Sequence, residues 1–425
     1  MTQFKVKDFG PIRYGGVLDE GFIDIGKITI FIGNQGTGKS TVAKLFSTLS
    51  WLEKQLYLGN LEEKDIVNYN RFPNKYCQYH NLKNYFSEFG ESQIFYKGNA
   101  YHFYFNQHDG LKIEKVNQGL QLFPKDNVEK YVVPKIMYIP SERNFFSVVN
   151  NPEKIKGLPK SVYEFWEELD RIKQEFSEDI ELPINAVKFH FDESTQQPYI
   201  LGNNYRIKLS EASSGFQSVI PLFLVSQNIA LSINNNQESS RSKLNAEEQK
   251  SLQEKVQNIL NNDDFSEEIK DAALKLLSSQ YRSECFINVV EEPEQNLYPE
   301  SQKNILYKLL EFANLNKDNK LIITTHSPYL INYLTLAIKA NQVLQKILDS
   351  PKKDSLKPQL EKIVPEASCV SEKDVFIYEL TEKGEIEMLD NYEGLPSDEN
   401  YLNISLGETN NLFSELLEIE EELEN

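Results

Sequence analysis

Apolar residues along the chain come in short blocks separated by polar, helix-prone stretches. The first blocks, "FKVKDF", "GFIDIG" and "KITIFIG", have strand-like runs, and a helical pattern follows from about Gly38 through "TVAKLFSTLSWLEKQL". Residues 54 to 92 are polar and aromatic, with helical stretches. "QIFYKGNAYHFYFN", "GLKIEKV" and "GLQLFP" alternate and predict antiparallel strands. "KIMYIPSERNFF" predicts a buried strand stopped at a proline, "SVYEFWEELDRIKQEF" a helix, and "VKFHF", "PYILG" and "YRIKL" further short strands. "SSGFQSVIPLFLVSQNIALSI" starts with turn chemistry and runs into an apolar helix.

The pattern then shifts. Residues 234–284 are charged and helix-prone and predict an inserted helical hairpin, either a docking module for a partner or a solvated decoration. "ECFINVVEEPEQNLYP" reads as a buried strand entering a loop, "ESQKNILYKLLEFANL" as a helix, and "KLIITTHSPYLINYL" as strand, loop and helix. Residues 350–370 predict a linker or mobile loop, "DVFIYELTEKGEIEMLD" a hairpin, and "FSELLEIEEELEN" a solvated acidic helix. Strands alternating with helices, with an antiparallel block near the start, predict an α/β fold.

Composition narrows the picture. The chain has 425 residues, enough for a sizeable core, with 45 basic against 64 acidic side chains, a formal charge of −19. On average such a surface repels nucleic acid and anionic membrane, although a local basic groove for nucleic acid stays open. Cys77, Cys285 and Cys369 are scattered without zinc spacing or a disulfide framework, which suits a reducing compartment. The start, "MTQFKVKDFGPI", has no apolar leader, and no run approaches the ~18 apolar residues of a membrane helix. The expectation is a soluble, cytoplasmic chain without a membrane partner.

The chemistry concentrates in a few places. "GNQGTGKS", Gly33 to Ser40, fits G-x-x-x-x-G-K-[ST] between a strand and a helix. Bare backbone lets successive N–H groups converge on a β-phosphate, and the following helix adds its N-terminal partial charge. Asn34, Gln35, Gly36, Thr37, Gly38, Lys39, Ser40 and Thr41 are therefore the expected ATP-binding residues, with Lys39 spanning the β- and γ-phosphates and the Ser40 hydroxyl on Mg²⁺. A second apolar strand ends in Glu291 and Glu292. A magnesium nucleotide needs one acid near the metal and one to orient the attacking water, and successive strand-end residues point differently. Glu291 is the expected metal acid, acting through water, and Glu292 the general base. His326 ends a third apolar strand and is expected to hydrogen-bond the γ-phosphate.

In this order, "GNQGTGKS", "SSGFQS", "VVEEPEQNLYP" and "TTHSPYL" resemble the ABC-type ATPase heads of the SMC/RecF/OLD-like group, and look most like AAA-15/AAA-21-type ATPases of anti-phage systems such as PARIS and Septu. The resemblance runs to about residue 335. It implies a P-loop NTPase head with a mixed sheet, an antiparallel β block and a helical signature lobe. The chain would divide into head residues 1–145, a signature lobe 146–233, the insertion 234–284, head residues 285–349, and a linker, hairpin and tail over 350–425. Ser214 and Gly215 would cap the γ-phosphate held by a partner copy, making at least a dimer whose clasp is ATP, and Asn296 to Pro299 would be the D-loop across the same interface. The pattern also departs from the group. Glu291 stands where an aspartate is usual, Phe216 replaces a glycine, and the Q-loop glutamine is absent, leaving Ser141, Glu142 or Arg143 in its place.

About seventy residues separate Glu142 from Ser214, too few for SMC-length coiled-coil arms. No TOPRIM-like acid spacing follows His326, so a separate effector, such as a nuclease, is expected to act under an ATP-driven switch. The alternatives are a RecF-like DNA-repair head and a transporter's nucleotide-binding subunit.

Overall fold

The computed structural model describes every residue except 1, 18, 117–130, 150–153, 176–177, 235–245, 263–264 and 425. The expected strand "GLQLFP" lies outside these described residues.

A seven-stranded sheet forms the centre. Val375–Leu380, Ile28–Gly33, Lys320–Thr324, Cys285–Glu291 and Pro134–Ile139 lie side by side in that order and all run parallel. Glu385–Met388 joins antiparallel beyond Val375–Leu380, and Gly15–Gly16 completes the edge. Ile28–Gly33 and Cys285–Glu291 are buried along their whole length, as parallel strands covered on both faces must be.

Alternation sorts the two faces. Ile28, Ile30, Ile32, Val290 and Ile323 face a helical layer formed by Lys160–Glu175, Ser214–Asn234, Pro299–Asn314 and Pro328–Leu348. Phe31, Val289 and Ile322 face the helix Lys39–Tyr57, whose far side meets Phe4, Val6, Ile94, Tyr96 and Phe103 of a five-stranded antiparallel sheet. That sheet is the expected antiparallel block, in the order Ile23–Ile25, Thr2–Lys7, Gln93–Lys97, Tyr101–Asn106, Gly110–Lys115. The expected short strands after residue 180 make a separate four-stranded sheet. The molecule is therefore mixed α/β, with the phosphate-loop helix held between two sheets.

Four expectations change. Residues 350–370 are not a free linker: Lys353–Glu361 is a helix, and Leu360, Val364 and Val370 are buried in the main core. The proline- and lysine-rich composition suggested a loop, but Leu356, Leu360 and Val364 recur at helical spacing and supply the packing face. The central sheet does not end near residue 335, where the resemblance stops, because Val375–Leu380 is the immediate neighbour of Ile28–Gly33. The helix Ser214–Ile233 is long and apolar enough by composition to cross a membrane, contrary to the reading that no run comes near this. Its Val219, Ile220, Leu222, Leu224, Val225 and Ile229 are enclosed by protein, so its apolarity builds the core. Finally, Tyr401–Glu424 is a helix as expected, but it exposes large apolar side chains as well as acids.

The inserted hairpin is present as Ala246–Leu260 and Glu267–Gln280. It is anchored rather than free. Glu248 and Lys54 form a buried ion pair at 2.6 Å, and Lys255 donates to the Leu58 carbonyl at 2.7 Å and to Asn60 Oδ1 at 2.9 Å. The hairpin thus braces the far end of the phosphate-loop helix.

Candidate active site

Parallel strands bring their C-terminal ends to one edge, where an open α/β sheet places its ligands. Here that edge gathers Gly33, Thr324, Glu291 and Ile139, and every sequence motif except the signature turn continues directly from one of these ends.

The loop Gly33 to Ser40 leaves Ile28–Gly33 and enters the helix at Lys39. Gly36 and Gly38 have φ of +81° and +105°, a region in which side chains are strained, and a Cβ on Gly36 would meet nothing within 4 Å. Gly36 therefore faces open space, whereas a Cβ on Gly38 would press on Ile12 at 2.9 Å. Thr37 Oγ1 donates to the Asn34 carbonyl at 2.9 Å, Asn34 Oδ1 accepts from the Gln35 amide, and Asn34 Nδ2 reaches Glu382 at 2.8 Å. Lys39 Nζ donates to the Gly33 and Asn34 carbonyls at 3.0 and 2.7 Å. Burial lowers its pKa to about 8, against the opposing pull of Glu292 and Glu294. Thr41 is buried in the first turn, and Ser40 is partly exposed.

The two successive carboxylates do diverge. Glu291 is the last strand residue and only 1% exposed; its Oε2 accepts from the Ser141 amide at 3.3 Å. Its Oε1 has no hydrogen-bond partner among the described residues and lies 3.7 Å from Lys44 Nζ, one helical turn after Ser40. Glu292 has φ +43°, a costly conformation for a non-glycine residue, and this turns it out of the strand. Its carboxylate lies 3.7 Å from His326 Nε2. Burial, then the neighbouring Glu291, raise its pKa. Burial and Lys39 lower that of His326, which favours a neutral imidazole.

Arg143, one of the three residues standing in place of the Q-loop glutamine, and Glu294 have partners that no spacing in the sequence signals. Arg143 is 0% exposed and spends its guanidinium on backbone carbonyls: Nε on Ser218 at 3.0 Å, Nη1 on Pro140 at 3.1 Å and Glu291 at 2.7 Å, and Nη2 on Glu292 at 2.6 Å. It is fully enclosed, with four of its five N–H donors on backbone carbonyls, and it pins the strained turn of Glu292. Ser141 and Glu142 remain at the mouth, joined by a hydrogen bond of 3.2 Å. Glu294 accepts from Thr325 Oγ1 and from the His326 amide, both at 2.8 Å, and so sets the histidine loop. The only hint of either role was position within "PSER" and "EEPE", since their partners are backbone groups far away in sequence.

The signature turn belongs to another face of the same block. Ser214 is exposed at the start of the helix Ser214–Asn234. A Cβ at Gly215 would come within 2.9 Å of the Asn296 carbonyl, so glycine lets the expected D-loop pack against this helix. Asn296 Nδ2 donates to Ser218 Oγ at 3.1 Å, and Tyr298 is exposed beside it. Ser214 and Gly215 do not join the cluster around Lys39 through any hydrogen bond or ion pair among the described residues; they are linked to it through Ser218 and Arg143.

A divalent cation such as Mg²⁺ fits the residues present. The site offers a hydroxyl at Ser40, a buried carboxylate oxygen without a hydrogen-bond partner at Glu291, and the buried Thr324 Oγ1, equally without one among the described residues. These are hard oxygen donors of the kind Mg²⁺ takes together with phosphate and water.

Residues 287–332, spanning the acid strand and the histidine loop, match the AAA_21 family model, described as "AAA domain, putative AbiEii toxin, Type IV TA system". No curated protein matches the chain. Among solved structures, the SMC head domain from Thermotoga maritima is similar over 78% of this chain and 90% of its own, at 12% identity and a TM-score of 0.34. An SMC head bound to the C-terminal winged-helix domain of ScpA has the same coverage, at 10% identity and a TM-score of 0.35. An SMC head with an extended coiled coil, bound to the C-terminal domain of ScpA derived from Pyrococcus furiosus, covers 78% of this chain and 92% of its own, at 10% identity and a TM-score of 0.31.

Proposed function

We propose that this chain is an ATP-binding and ATP-hydrolysing switch subunit, whose assembly through shared nucleotide sites controls a separate effector. The supporting observation is convergence: one sheet edge carries a glycine-bearing loop with a buried lysine, two diverging carboxylates and a histidine, while the exposed Ser214 end of a core helix is coupled to them through Arg143.

In this reading the loop amides and Lys39 hold the β- and γ-phosphates of ATP. Ser40 and Glu291 would hold Mg²⁺, which when bound neutralises charge on the phosphate oxygens. Glu292, with its raised pKa, accepts the proton of the attacking water as the new oxygen–phosphorus bond forms and the bond to the β-phosphate oxygen breaks, releasing ADP and phosphate. His326 donates a hydrogen bond to the γ-phosphate and relaxes once it leaves. Ser214 and Gly215 address the γ-phosphate bound by a second copy, so ATP binds the assembled state preferentially and stabilises it by mass action. The family description of the matching segment, with its putative toxin and type IV toxin–antitoxin system, supports the defence setting, in which we place a separate nuclease-like effector.

The test is Glu292→Gln. With saturating Mg-ATP it should bind nucleotide, lose turnover by about 100-fold or more, and shift to at least twice the monomer mass in light scattering. A monomer under these conditions defeats the shared-site reading.

A further inference from the structure

The helix Tyr401–Glu424 carries an apolar face that the molecule leaves uncovered. Its start is fixed to the body: Leu402 is buried in the main core, and the Tyr401 amide donates to Glu379 on the strand Val375–Leu380. Beyond that anchor Leu412, Phe413, Leu416, Leu417, Ile419 and Leu423 are all exposed, Leu423 at 83%. At 100° per residue they fall within one arc of the helix, a larger contiguous apolar surface than a solvated tail requires.

The spacing specifies more than apolarity. Leu412, Leu416, Ile419 and Leu423 follow one another by four, three and four residues, the d-a-d-a seam of a heptad. In that register the g positions are Glu408, Glu415 and Glu422, and position e of the last heptad is Glu420. These flanks decide the occupant. In a parallel pair of two such helices, Glu415 of one copy faces Glu420 of the other. In an antiparallel pair, g faces g, again glutamate against glutamate. Self-pairing therefore sets like charges along the seam, on molecules that already carry −19 each.

We infer that the C-terminal helix is a docking element for a different protein, one that presents an apolar helix or groove edged with lysine and arginine. Its anchor lies on the strand next to the phosphate-loop strand, so the partner is tied to the same sheet as the proposed nucleotide site. The inference goes beyond the ATPase reading and stands without it.

The test uses the full-length protein and two synthetic helical peptides with the same leucine seam, one flanked by lysine and one by glutamate, read by fluorescence anisotropy. The lysine peptide should bind, and the glutamate peptide should bind about tenfold more weakly or not at all. Leu416→Glu combined with Leu423→Glu changes exposed residues only and should weaken the lysine peptide by about tenfold or more, with ATP turnover and nucleotide-free mass unchanged. Glu415→Lys with Glu420→Lys should reverse the preference between the peptides. Equal binding of both peptides, absence of binding by either, or a wild-type oligomer dispersed by the leucine pair would each overturn the inference, the last by making a second copy the occupant.

Discussion

Arg143 shows how one side chain holds a site that it does not enter. Its four carbonyl acceptors include the two residues on which the proposed chemistry depends, and leaving a buried carbonyl without a donor costs about 1–3 kcal/mol each. Arg143→Lys keeps the charge but cannot serve all four. It should lower the melting temperature and reduce kcat by about tenfold or more while ATP affinity changes little, because Lys39 and the loop amides are untouched. Loss of ATP binding in that variant would show that the loop, and not the carboxylate turn, relies on this arginine. The same residues set a pH dependence. Glu292 must be ionised to accept a proton and its pKa is raised, so kcat/KM should fall as pH drops through that value; Lys39 must be charged to hold phosphate, so kcat/KM should fall again as pH rises past about 8. Glu292→Gln should remove the acid limb and keep the alkaline limb of ATP binding. At this scale the sequence was legible wherever the chemistry is local. "GNQGTGKS" needs only its own backbone and the strand before it, whereas Arg143 and Glu294 act on groups brought close by folding, and no spacing signals that.

At the scale of elements, the helix Ser214–Asn234 has two ends with different work. Its apolar middle is core, and its first turn is an exposed tip braced by Asn296 and Arg143. Ser214→Arg puts bulk and charge on the tip without touching the chain's own phosphate loop. It should leave nucleotide affinity within about twofold of wild type and abolish assembly and turnover, checked by titration with a fluorescent ATP analogue beside light scattering. Helices and strands with strong periodicity were readable in advance, and so was the hairpin of the insertion. Two elements were hidden for physical reasons. Lys353–Glu361 carries Pro358 inside a span of nine residues, so its local preferences disfavour a helix and only burial of Leu360 and packing of its neighbours make it helical. Val375–Leu380 was legible as one arm of a hairpin, but its other partner, Ile28–Gly33, lies near the opposite end of the chain, and parallel pairing at that separation leaves no trace in either segment.

For the whole molecule, charge and assembly pull in opposite directions. Two copies, each at −19, repel at long range, so assembly of Glu292→Gln in Mg-ATP should become more complete as salt rises from about 50 to 300 mM, where the screening length shortens from near 14 to under 6 Å. Weaker assembly at high salt would mean that direct ion pairs, and not nucleotide, join the copies. The placement of Val375–Leu380 has a further consequence, for the order in which the molecule comes into being. The ribosome releases Ile28–Gly33 early and its flanking strand almost a full chain later, and Asn34 waits equally long for Glu382. Until then the nascent polypeptide carries a strand built for complete burial with an open edge, a template for wrong pairing. In the proposed reading, competence to hold a nucleotide is thus acquired near the end of translation, so a prematurely terminated product should be an aggregation hazard instead of a stray, half-regulated ATPase.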